Sequence, residues 1–237
     1  LGFDVVDVDL VIDPALDITD DRCWDKIGAD IDADIYKGAQ MDPQCSTFSS
    51  VRGRMGGPRP LRGSHGDALY GHTDLTQQEG VRLKRDALLG IRCAIVAFKM
   101  LDRGYPFLIE QPAMRENAPS LFKLPEYTKL LAHPAVKMRT FVQCPTGSYS
   151  SKPTTVIYAN MSLPDDLFPE RCTHDKMWYR FDDGSWLHAA HPPLVGKMRA
   201  VPAEQWEPWM AKIERKDYVS SSAAHYTGEL NRRLATV

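Results

Sequence analysis

The sequence predicts an α/β fold with a mainly parallel sheet and a small irregular C-terminal lobe. Three observations predict it. Short valine- and isoleucine-rich runs alternate with a long segment of helical periodicity, the pattern of strands joined by helical crossovers. Reactive side chains fall just past the carboxyl ends of two of those runs, where open α/β sheets bind ligands. After about residue 160 the periodicity fades and tryptophans and prolines become frequent. The expected division is a catalytic core over 1–160 and a small lobe or extension over 161–237.

The elements follow in order. Phe3 to Val11 (FDVVDVDLV) alternates and reads as a buried strand ending in acids. Asp20 to Ile27 predicts a short helix, with Asp20 or Asp21 as its N-cap. Ile31 to Met41 reads as a strand and its approach, ended by Asp42-Pro43. Residues 46–77 form a loop rich in Gly, Arg, Ser and Pro, long enough to be functional or disordered. Thr76 to Arg103 is helical; Val81, Leu88, Ile91, Ile95, Phe98 and Leu101 fall near one face, and Gly104 stops the helix. Tyr105 to Glu110 (YPFLIE) is an apolar strand, Leu121 to Leu131 a helix, and Arg139 to Gln143 and Thr154 to Ala159 are strands around a Gly-Ser-Lys-Pro-containing loop.

Composition sets outer bounds. The chain has 237 residues, 43% hydrophobic and 25% charged, which suits one sizeable globular domain with or without an appendage. The net charge of −2 gives no global basic field, so any nucleic-acid contact must be local. Five scattered cysteines without a C-x-x-C pair argue against a secreted disulfide framework and for a reducing compartment. No run approaches the length of a membrane span, so no membrane partner is expected. The chain opens on Leu1 inside a strand-like run, from which upstream sequence is expected.

Three segments carry the chemistry, the third being the loop Pro145 to Thr154 (PTGSYSSKPT), which enters another strand. In Asp42-Pro43-Gln44-Cys45-Ser46-Thr47-Phe48-Ser49, a cysteine follows a strand and a proline and precedes a flexible loop, a placement that suits a nucleophile. In Ile109-Glu110-Gln111-Pro112, an acid closes the next apolar strand. A thiol and a carboxyl at one sheet edge suit covalent activation of an electron-poor ring: the thiolate adds to carbon 6 of a cytosine, and the carboxyl group holds ring nitrogen N3. A base inside a duplex must be flipped out first, and a mobile basic loop beside the cysteine would assist. Arg52, Arg54, Arg59 and Arg62, with Ser49, supply such a loop, in a stretch without acids until Asp67.

These segments resemble the DNA cytosine-C5 methyltransferases, in a divergent form like those of viruses and retroelements. Pro43 to Ser49 is similar to their Pro-Cys motif, Ile109-Glu110-Gln111-Pro112 to their Glu-Asn-Val or Glu-Asn-Pro motif, and Gly2 to Leu10 to the second strand of their cofactor domain. Gln44 stands where proline is usual, and Gln111 where asparagine is usual. The resemblance, over residues 1–160, implies a Rossmann-like S-adenosylmethionine-dependent methyltransferase fold. It implies Cys45 and Glu110 as catalytic residues, and Lys152, in Lys152-Pro153-Thr154, as the basic residue contacting the flipped nucleotide or its phosphate. It implies S-adenosylmethionine as cofactor, held by Asp9, Leu10, Asp17, Ile18 and Pro43. The family's glycine-rich Phe-x-Gly-x-Gly motif would lie before Leu1. DNA, or RNA, is the implied partner, a second chain would supply target recognition, and the setting is a nucleus or the cytoplasm of a prokaryotic or virus-infected cell.

Plainer readings stand beside these. A free cysteine is often only a small core residue, the arginines suit a solvated loop, and Lys152 and Asp9 suit surface and capping positions. Cys172-x-His174, with Cys144, His188 and His191, invites a zinc reading, but the spacing matches no standard finger, and the expectation is scattered residues and no metal. The competing function is a catalytically inactive methyltransferase-fold module for nucleic-acid binding or assembly.

Overall fold

The computed structural model describes residues 4–9, 12–50, 52–53, 58–148, 150–165, 168–180, 186–191, 230 and 232. The described chain is α/β, with three helices: α1 (Asp21–Asp32), α2 (Gln77–Asp102) and α3 (Pro125–Leu131). The strands are β1 (Ala39–Met41), β2 (Phe107–Pro112), β3 (Lys137–Val142), β4 (Pro153–Ala159), β5 (Met177–Arg180) and β6 (Trp186–Ala189). β1 to β4 form one sheet in the order β1-β2-β4-β3, and β5 and β6 form a separate antiparallel pair. The chain divides into two compact units, one of residues 1–49, 60–139 and 155–161, the other of 50–59, 140–154 and 162–237. No helix among the described residues is long and apolar enough to cross a membrane.

Two sequence expectations need correction. The four-stranded sheet is mixed, partly antiparallel, rather than mainly parallel. Residues 4–9 form no strand: they are irregular and exposed, with Val5 at 77% and Val6 at 61% exposure. Alternation supplies a face to bury, but a strand also needs a neighbour for its backbone ladder, and the described sheets pair none with this segment.

The helix signals hold. The Asp20 carboxylate accepts from the Arg22 amide and caps α1, which runs five residues past the expected end. Thr76 caps α2 with a full capping box: its hydroxyl accepts from the Glu79 amide and the Glu79 carboxylate accepts from the Thr76 amide. Gly104, at φ 73°, ends this element in a conformation that favours glycine.

The buried stripe of α2 is not the expected one. Val81, Leu88 and Ile95 are exposed, Ile91 and Phe98 half-buried, and of the six only Leu101 is buried. The buried positions are Leu83, Asp86, Gly90, Arg92, Cys93, Ala94, Val96, Ala97, Met100 and Leu101. The expectation followed the largest apolar residues, whereas the packed face also uses small ones, Gly90, Ala94 and Ala97, which let α2 approach its neighbours. Gly90 is the tightest point. A Cβ there would lie 2.3 Å from Leu121 Cδ1, and its carbonyl accepts from the buried Tyr127 hydroxyl at 2.7 Å. Gly90→Ala is therefore expected to destabilise the protein by about 1–3 kcal/mol through overpacking, despite alanine's better helix propensity. A urea midpoint at or above wild type would contradict this.

β1 and β2 are parallel, with Ala39 opposite Phe107, Gln40 opposite Leu108 and Met41 opposite Ile109. The chain between them passes through α2, which packs on both strands, the usual way to join parallel neighbours. Both strands therefore end at the same edge.

Candidate functional site

Past Met41 the chain leaves β1 through buried Pro43 and exposed Gln44 to half-buried Cys45, then enters a tight turn in which the Phe48 amide donates to the Cys45 carbonyl at 3.0 Å. Glu110 follows Ile109 on β2 and is 8% exposed. The next side chain, Gln111, lies on the opposite face of the strand and donates through Nε2 to the Pro43 carbonyl at 2.6 Å. The two strand ends are thus joined beyond their ladder. Gln111, at the position where the resemblance expects asparagine, contributes a structural clamp, and Pro43 is its acceptor.

The turn bearing Cys45 is held from below by α2. One carboxylate oxygen of buried Asp86 accepts from the Ser46 hydroxyl at 2.8 Å, the Thr47 amide at 3.1 Å and the Thr47 hydroxyl at 2.8 Å. The Thr47 hydroxyl accepts in turn from Arg62 Nε at 3.1 Å. Arg62 also donates to the carbonyls of Leu69 and Leu83, at 2.7 and 2.8 Å, and its guanidinium lies 3.9 Å from the centre of the Phe48 ring. Burial lowers Arg62 to about 10 against the opposing field of Asp86, which leaves the guanidinium charged at neutral pH. Ser46 and Thr47 are thereby held by the buried Asp86 carboxylate, and Thr47 by Arg62 as well.

This corrects the assignment of Arg62 to phosphate contact. The side chain is 1% exposed and its donors are engaged inside the protein. A guanidinium in a Gly- and Pro-rich segment looks solvated in sequence, but here the loop folds over it. The other members of the basic loop differ. Arg59 is exposed, Arg52 is half-buried and donates to the Arg59 carbonyl at 3.1 Å, and Arg54 lies outside the described residues. Ser49 is half-buried. Lys152, in the second unit, is half-buried at φ 31°, and its carbonyl accepts from the Thr154 hydroxyl at 3.1 Å.

The cysteines separate by environment. Cys93 is buried inside α2, and desolvation pushes its thiol up to about 12, which disqualifies it as a nucleophile. Cys45 is one of three partly exposed thiols.

Asp9 is exposed in the irregular segment, its carbonyl capping the turn at Ile12 and Asp13, and Leu10 lies outside the described residues. Asp17 is engaged locally: the hydroxyl and amide of Thr19 donate to one oxygen at 2.6 and 2.9 Å, and Arg85 lies 3.2 Å from the other. These partners hold its carboxyl below the usual value, the Thr19 hydrogen bonds first and Arg85 after them. The Ile18 carbonyl accepts from Arg92 at 2.6 Å. Asp17-Ile18 serves here to fasten the approach to α1 onto α2. No family model, curated protein or solved structure matches this chain. The site's chemistry therefore rests on its own side chains.

Sequence reasoning missed Asp86, Arg62 and Gln111 as the frame of the Cys45 turn. Asp86 carried a signal, since an acid three residues after Leu83 and four before Gly90 interrupts an otherwise packable stripe. Reasoning also dispersed a second group that the structure gathers: Cys144, Cys172, His174 and His191 lie with their ligating atoms within 4.8 Å of one another. His188 is not among them; its ring stacks on Trp178 at 4.6 Å.

Proposed function

We propose that the first unit activates a cytosine in DNA by covalent addition of Cys45, in a protein whose overall activity is methylation at carbon 5. The observation that carries this reading is the parallel register of β1 and β2, Met41 opposite Ile109, which brings the Cys45 turn and Glu110 to one sheet edge. A partly exposed thiol on a braced turn and a nearly buried carboxyl, at the same end of adjacent strands, suit addition to a base held at N3. Cys45 gives up its proton and forms a bond to C6. The π pair of the 5,6 double bond moves to C5, and the Glu110 carboxyl holds the ring through N3 as charge builds there. C5 then takes a proton from water; loss of the original hydrogen and expulsion of the thiolate restore the base. S-adenosylmethionine is the methyl donor implied by the resemblance, and no step here depends on it.

The test is exchange of the C5 hydrogen of cytosine in DNA incubated with the full chain in heavy water. Deuterium uptake at C5 is expected without added cofactor. A parallel incubation with S-adenosylmethionine, comparing methyl incorporation into DNA and RNA, identifies the polymer and the complete reaction.

A second reading, an inactive module that binds nucleic acid or assembles with a partner chain, is favoured by one observation: Asp17 is occupied by Thr19 and Arg85. DNA binding without C5 exchange would select it and overturn the first.

A further inference from the structure

We propose that Cys144, Cys172, His174 and His191 form a structural zinc site in the second unit, independent of the chemistry at Cys45. The four side chains come from three separate stretches of chain. Cys144 opens a single 3-10 turn, Cys144–Thr146, directly after β3; Cys172 and His174 precede β5; His191 follows β6. Each offers one ligand atom, and all four atoms fall within 4.8 Å.

The spacings are those of a metal's coordination edges. His174 Nδ1 and His191 Nε2 are 3.3 Å apart, and Cys172 Sγ is 3.5 and 3.2 Å from them. A tetrahedral zinc with bonds of about 2.0–2.1 Å to nitrogen and about 2.3 Å to sulfur places two nitrogens about 3.4 Å apart and a nitrogen and sulfur about 3.5 Å apart. The imidazole planes cross at 88°, so the rings converge edge-on through their nitrogens rather than stacking. Two thiols and two imidazoles are the borderline-soft donor set that zinc prefers. Four protein ligands close the coordination shell, which marks a structural ion rather than a catalytic one.

The position of the cluster gives the ion a task. Among the described residues β5 and β6 form a two-stranded pair of their own, Met177 opposite Ala189 at its open end, and a pair of two strands alone is marginal in water. His174 lies three residues before Met177 and His191 two after Ala189, so an ion between them clamps that open end. Cys144 ties the clamp to the turn after β3. That turn is rigid: the Thr146 hydroxyl donates to the Gln143 carbonyl at 2.6 Å, the buried Gln143 side chain donates to Thr154 at 2.8 Å, and Gly147 closes it at φ 92°. An ion held there would add a second anchor to a unit whose apolar contacts include Phe141 against Phe168.

The experiment uses the full chain without an affinity tag. Zinc content by mass spectrometry is expected at about one equivalent per chain. Replacement by Co2+ is expected to give the visible bands of tetrahedral cobalt with a thiolate charge-transfer band. Chelation is expected to accelerate amide exchange in 140–154 and 168–191 by about tenfold or more while α2 keeps its protection. Cys172→Ser with His191→Ala is expected to lose the metal. Zinc bound equally by that double variant, or wild-type protein that takes up no metal and gives no tetrahedral cobalt spectrum, overturns the proposal. The cobalt spectrum needs only wild-type protein, so a variant that fails to fold does not block the test. C5 exchange at cytosine is a separate readout, so failure at one site is distinguishable from failure at the other.

Discussion

Cys45→Ala protein is expected to lose C5 hydrogen exchange on cytosine by about a thousandfold or more, the scale seen when the group that forms the covalent bond is removed. The fold should persist. Cys45 is half-buried, and its turn is braced by Asp86 and Arg62 through Ser46 and Thr47. The unfolding midpoint should stay within about 3 °C of wild type, the shift that about 1 kcal/mol produces at this size. Glu110→Gln is expected to slow exchange by about a hundredfold or more, since the amide cannot hold N3 with a carboxyl proton or charge. Exchange retained in Cys45→Ala would remove the thiol from the mechanism.

The second large effect is on stability. Asp86→Ala is expected to destabilise the protein by about 3–5 kcal/mol, because it strands the buried Arg62 charge and unpairs three donors of the Cys45 turn. Asp86→Asn keeps an acceptor but loses the charge, and is expected to cost less, about 1–3 kcal/mol. Urea denaturation of both variants gives the ordering. A cost below about 1 kcal/mol for Asp86→Ala would mean that Arg62 finds compensation elsewhere. Because the same carboxylate fixes the turn, the Asn variant should also exchange C5 hydrogen more slowly than wild type at a temperature where both are folded.

These two residues show where sequence reading reached and where it stopped. The placing of Cys45 and Glu110 at the ends of neighbouring strands was legible because its signals are local: a proline-bounded cysteine after one apolar run and an acid ending the next. Parallel pairing of those runs follows from the helix between them. Asp86 was not legible as a partner, because its donors lie 39 and 40 residues away and nothing in its own neighbourhood names them. Arg62 was misread for the same reason. In sequence it belongs to a basic loop; in the fold it lies beneath Phe48 and reaches carbonyls of two later segments. The Cys and His residues of the second unit were noticed, but spacing alone could not choose among Cys144, His188 and His191, since three stretches of chain had to meet.

The sequence by itself determined the helices, their caps and stops, and the segments able to form the four-stranded sheet, because those depend on contacts within a few residues: Asp20 to Arg22, Thr76 to Glu79, Gly104 at a positive φ. Only the tertiary structure decided which face of α2 is buried, that residues 4–9 lack a strand partner, that Arg62 is a buried brace, and that Cys144, Cys172, His174 and His191 converge. Each of those outcomes turns on which distant surface is available to bury a side chain or complete a hydrogen bond. No local pattern of residues encodes that choice.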